Sequence, residues 1–147
     1  MTIQQLVVDL ENEPGRLFTV TEAIARSGIN VHALSLCDGA ASGTARMLVS
    51  DVKRARAIAM ELDVPARTEE VLVLLIPDSP GSLAEILEPL FDDYVNILYL
   101  NAFSAIDGRA VSVIRFSDNT QAEGILREHG HSPLSLESIF PVSEEEE

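Results

Sequence analysis

Cysteine is nearly absent: Cys37 is the only one in 147 residues. No internal disulfide can form, and a reducing cytoplasm is the compartment this composition leads one to expect. Basic residues are also scarce, with ten Lys and Arg against 24 Asp and Glu and a formal net charge of −14. Nucleic acid is held by Lys and Arg that neutralise phosphates and release counterions. No basic stripe is present, so neither nucleic acid nor an anionic membrane surface is an expected partner. Long hydrophobic runs are missing too. The longest, Val71 to Ile76, is far short of the roughly 20 apolar residues that span a bilayer. Residues 1–20 already alternate charge and hydrophobicity, so no signal peptide is expected.

Catalytic signatures are equally thin. There is no Walker-type lysine loop and no G-x-G-x-x-G. Ser42 lies in the glycine-flanked segment Gly39 to Gly43, but this segment joins two strands, whereas a nucleophile elbow joins strand to helix. Cys37 has no activating neighbour in sequence and reads as a small buried hydrophobe. His129 and His131 flank Gly130 without a third ligand nearby, so no metal is expected. His32 alternates with Leu34 and Leu36 and reads as a structural histidine in a sheet. No carboxylates form a recognisable acid/base pair. The expectation is no catalytic residue, no cofactor and no enzyme.

What the chain does have is ample apolar material, 46% of residues, and an internal repeat. A shift of 66 residues superposes Pro14 on Pro80, Gly15 on Gly81, Leu17 on Leu83, Glu22 on Glu88, Asn30 on Asn96 and Leu34 on Leu100. A shift of 67 then matches Asp51 with Asp118, Ala55 with Ala122 and Ile58 with Ile125, so one residue is inserted between the third and fourth elements. Repeats of this kind organise a fold and take precedence over local signals. The join falls near Thr68 to Val71, which gives domains at 1–70 and 71–147, with an acidic, solvated tail at 144–147.

Each copy reads as strand, helix, strand, strand, helix, strand. Leu6, Val8 and Leu10 alternate on one strand face. Pro14-Gly15 opens a helix carrying Leu17, Val20 and Ile24, and Gly28 ends it. Strand two runs from about Asn30 to Cys37 and strand three from Thr44 to Val49. Ser50 or Asp51 caps a second helix. In the second copy, Ser79-Pro80-Gly81 starts a helix that Pro89 should kink or loosen. Val95 to Ala105 and Arg109 to Phe116 form a hairpin around Asp107-Gly108. Asp118 caps the last helix, and Leu134 to Ile139 should close the sheet. This order is α+β: two ferredoxin-like βαββαβ units with antiparallel sheets. Val71 to Ile76 is apolar throughout and should be covered on both faces, either by the two copies side by side or in a homodimer.

The segment Glu11-Asn12-Glu13-Pro14-Gly15-Arg16-Leu17, followed by Gly28-Ile29-Asn30-Val31, resembles the signature of ACT domains. The second copy repeats it as Asp78-Ser79-Pro80-Gly81-Ser82-Leu83 and Val95-Asn96-Ile97. The resemblance covers nearly the whole chain as a tandem pair. It implies a regulatory or sensor protein that binds a free amino acid where ACT units meet, at the loop after the first strand and the start of the first helix. The positions it points to are Asn12, Glu13, Gly15, Arg16 and Asn30, with Asp78, Gly81 and Asn96 in the second copy. The chemistry of a helix start agrees with it. Unpaired N–H groups and a partial positive charge suit a carboxylate, and glycine allows close backbone approach. Asp78 departs from the pattern, since an anion would repel the ligand carboxylate, so the first copy is the expected site for that end. The competing reading is a ligand-free interaction module that docks on a partner enzyme or transporter.

Overall fold

The computed structural model describes residues 2–39 and 42–140, with the side chains of 104–106 left aside. The expected acidic tail, and Ala40 and Ala41 of the first hairpin loop, lie outside the described residues. The chain divides into two compact units, one of Gln4–Glu69 and one of Met1–Ile3 with Glu70–Glu147.

The first unit is built from β1 (Ile3–Glu11), α1 (Arg16–Arg26), β2 (Val31–Cys37), β3 (Ser42–Val49), α2 (Val52–Glu61) and the start of β4 (Ala66–Pro77). Its strand order is β2-β3-β1-β4. Antiparallel pairing sets Leu6 against Met47 and Val8 against Ala45. These residues, with Leu10, Val20, Ile24, Ala55 and Ala59, form one buried cluster. The two helices therefore cover a single sheet face, as strand alternation and helical spacing demand. Asp51 caps α2 through its side chain, which accepts from Arg54 N–H at 3.2 Å.

The second unit continues along β4 and adds α3 (Ser82–Asp92), β5 (Ile97–Ile106), β6 (Arg109–Phe116), α4 (Asn119–Glu128) and the short α5 (Leu136–Ile139). Its strand order is β4-β6-β5. Leu72 faces Ile114 and Leu74 faces Ser112, the pairings of the first unit moved by 66 on one strand and 67 on the other. Asp107 and Gly108 both take positive φ, 51° and 72°, as a tight hairpin turn requires.

Three local expectations are corrected, and one about Pro89 is refined. Pro14 sits in the turn before α1, whose first residue is Arg16, because Gly15 at φ 87° turns the chain into the helix. The helix α3 runs from Ser82 to Asp92 with Pro89 inside it, where the missing N–H leaves the preceding turn one hydrogen bond short, as expected. Leu134 to Ile139 is not a strand. Leu134 N–H reaches Val73 C=O at 2.9 Å, and the chain then coils into α5. Pro133 cannot donate to a ladder, and Ser135 supplies a helix N-cap by accepting from Ser138 N–H at 3.3 Å. Finally, Cys37 is exposed, because it ends an edge strand. The apolar stretch in β4 is covered as expected, with Val71, Leu72 and Val73 fully buried. A single chain already achieves this, so that burial does not call for a second copy.

Candidate functional site

In the first unit β1 and β2 are both antiparallel to β3 and so run the same way. The end of β1, the start of α1 and the end of β2 consequently meet at one end of the sheet. There they enclose a cavity of about 380 Å³. Its apolar lining is Leu10, Leu17 and Leu36, and its polar lining is Glu11, Asn12, Glu13, Arg16 and Asp38. Gly43 completes it, and a Cβ there would lie 3.3 Å from the Cys37 carbonyl oxygen, so a larger residue would press on the end of β2.

Gly15 is the hinge of this arrangement. Its φ of 87° is the left-handed conformation that glycine enters at little cost. The turn leaves Arg16 at the first helical position, and its guanidinium donates to Glu11 at 2.8 Å and to Glu13 at 3.4 Å. Glu11, Glu13 and Asp38 thus put three carboxylates beside one guanidinium that is already engaged. Such a rim suits an ammonium better than a fourth carboxylate.

Of the expected residues, the fold brings Asn12, Glu13, Gly15 and Arg16 together. Asn30 is elsewhere. It precedes β2, and seven strand residues at about 3.3 Å each separate it from the cavity end, on the order of 20 Å. There its backbone N–H donates to Ser50 Oγ at 2.9 Å while Ser50 N–H donates back to its C=O at 3.0 Å. Asn96 makes the same reciprocal pair with Ser117, at 3.0 and 2.8 Å. Both asparagines therefore stand in a brace that ties the entry of one strand to the exit of its neighbour. The Asn30 amide nitrogen also lies 3.4 Å from Nδ1 of His32, whose pKa burial holds below the usual imidazole value.

The second copy builds its loop differently. Asp78 N–H donates to Gly108 C=O at 2.9 Å, and Gly81 repeats the φ of 87°. Where Arg16 and Glu13 stood, Ser82 and Ser79 share a hydrogen bond of 2.7 Å. The loop is knitted to itself, with no cation at the helix start.

Glu11, Asp38 and the three leucines were not foreseen as lining. The signal was available in the strand directions: a βαβ crossing that makes β1 and β2 parallel puts the end of β2, and not its start, beside the β1–α1 loop.

The description "ACT domain pair" belongs to the family whose model matches residues 1–135. No curated protein matches the chain. A crystal structure of a Bacteroides thetaiotaomicron protein is 32% identical, with a TM-score of 0.88 over 97% of this chain and 98% of that one. The ligand-free regulatory subunit of aspartate kinase from Thermus thermophilus is 18% identical, with a TM-score of 0.62 over 88% of this chain and 91% of that one. Aspartokinase III of E. coli, crystallised with lysine and aspartate, is 17% identical, with a TM-score of 0.54 over 87% of this chain and 30% of the enzyme.

Proposed function

The chain belongs to the ACT domain pair family, and on that premise we propose that it is a non-catalytic cytoplasmic sensor of a free amino acid. The family and the regulatory-subunit neighbours support a regulatory role. No described helix is long and apolar enough to cross a membrane. In this reading the two ACT domains are 1–70 and 71–147, and the protein works as a homodimer that signals to a partner enzyme.

The observation that carries the ligand reading is the first-unit cavity, with its leucine lining and its rim of three carboxylates, one guanidinium and one carboxamide. A free amino acid offers an ammonium, a carboxylate and a side chain within that volume. The acids receive the ammonium. Asn12, with donors and an acceptor on one group, and the backbone at Gly15 and Arg16 serve the carboxylate. Asn30 and Asn96 join a ligand only if a second copy brings them to a cavity. Asp78 and Gly81 mark the corresponding loop of the second copy, where the serine pair favours the docking role of a ligand-free module.

A thermal-shift screen of the free amino acids identifies the ligand, because one that binds only the folded state raises stability by about 2.7 kcal/mol at one hundred times its Kd. Calorimetry on Asn12→Leu should then show binding weakened by roughly ten to one hundred and fifty fold, the equivalent of a charge-assisted hydrogen bond of about 1.5–3 kcal/mol. Equal affinity in wild type and variant moves the site elsewhere. Absence of heat with every amino acid promotes the interaction-module reading.

A further inference from the structure

Among the described residues the second unit has no strand where the start of β4 closes the first, and a cavity lies along that edge. In the first unit Asp9 N–H donates to Pro65 C=O at 3.0 Å, where the chain enters β4. The shared register puts Leu75 at the position of Asp9, since Asp9 pairs with Thr44 and Leu75 with Val111. Ser132 stands where Pro65 stood. Among the described residues the corresponding bond from Leu75 to Ser132 is not made, and the edge is met only by Leu134 bonding Val73. A backbone N–H at a strand edge calls for an acceptor, and a ligand in this cavity can supply one.

That cavity measures about 190 Å³, and Leu75, Ile86, Leu134, Arg109, His131 and Ser132 line it. Among the described residues no acceptor pairs with the Arg109 guanidinium. The nearby C-terminus of α4 does not oppose an anion strongly. Its last carbonyls, of Ile125, Leu126 and Arg127, are already capped by the N–H groups of His129, His131 and Gly130. The lining therefore combines a guanidinium fork, an imidazole, a hydroxyl and a strand-edge backbone N–H with the aliphatic side chains of Leu75, Ile86 and Leu134.

We propose that this cavity binds a small carboxylic acid with a short branched hydrocarbon tail. The carboxylate is taken by Arg109, whose planar fork matches it in a bidentate manner, and by the Leu75 N–H. The tail lies against Ile86 and Leu134. The volume corresponds to about six waters, enough for a carboxylate of five carbons and too little for a nucleotide. The site is separate from the first-unit cavity, and it stands whether or not that cavity binds an amino acid.

The test is titration of the ¹⁵N-labelled full chain with isovalerate, isovaleramide and inorganic phosphate at constant ionic strength. Isovalerate should shift the Leu75, Ser132 and Leu134 amides saturably, while the neutral amide and phosphate should bind at least about tenfold more weakly. Arg109→Gln, at an exposed position, should keep the remaining spectrum and lose about tenfold in isovalerate affinity. Three outcomes overturn the proposal: no saturable shift at those amides, equal binding of the amide or of phosphate, or unchanged affinity in Arg109→Gln.

Discussion

The two units share a framework and differ at its ends. Both turn into their first helix on a glycine at φ 87°, cap their second helix with an aspartate, and brace strand to strand through an Asn–Ser pair. They part company in charge and closure. The first gathers Arg16 and three acids around its loop and closes with the start of β4. Its sheet also carries a chain of ion pairs, with Arg46 and Arg67 both on the buried Glu69 and Arg67 also on Asp9. The second replaces the charged loop with a serine pair, holds Arg109 at its own cavity, and among the described residues closes with one backbone bond and a helical turn. There Phe140 stacks on Phe103 at a centroid distance of 5.9 Å. What repeats is what the fold requires, and what diverges is the lining of the two cavities. That difference argues for two distinct ligand chemistries on one scaffold, and matched substitutions can break or sharpen it.

The largest effect should come from the cores. Leu6 and Leu72 are equivalent and fully buried. Leu6→Ala and Leu72→Ala should each lose about 2–5 kcal/mol in urea denaturation. A loss in one several times that in the other would show that the frameworks are not equivalent. Next come the hinges. Gly15→Ala and Gly81→Ala meet no atom within 4 Å, so their cost is backbone strain alone, about 1 kcal/mol each by the same measurement. A markedly larger loss at Gly15 would mean that the charged rim, and not the turn, depends on it.

A smaller effect should appear at Gln5, whose buried Nε2 has no hydrogen-bond partner among the described residues. The second copy places Val71 there, also buried. Gln5→Met removes the unpaired amide and keeps its length, so thermal unfolding should report a gain of about 1 kcal/mol. A loss would reveal a partner for that amide. The smallest effect belongs to His32, where the second copy has Leu98. Burial depresses the pKa of His32, so its neutral form is favoured in the fold. Its contribution is fully present above the ordinary value of 6.5 and fades as pH falls through the folded pKa. Protonation of Nδ1 would also remove the acceptor facing the Asn30 amide. His32→Leu should flatten the acid side of the stability profile, and a profile of unchanged slope would remove His32 from the account.

Most of the scaffold was legible in the sequence. The repeat offsets reappear as strand register, and Asp51, Asp118 and Asp107-Gly108 do what their residue types suggest. The closing segment of the second copy was not legible from periodicity, because Leu134, Leu136 and Ile139 fit a strand or a helical turn equally well. Pro133 and the capping Ser135 decide it. In the candidate site, the loop residues were visible as a motif. The motif includes Asn30, at the far end of β2 from the cavity, because a motif ignores strand direction, and Leu36 and Asp38 are not visible in it because they reach the loop only through the sheet.

The main border between the units falls between Glu69 and Glu70, inside β4. Domains are commonly separable at exposed flexible linkers, where proteases nick and truncations are tolerated. This chain offers neither there. Limited digestion should spare the border, and a gene cut at that codon would yield two halves that each expose a severed strand. Such an edge is a template for pairing with any other strand. The halves should clump when made alone and recover solubility when made together.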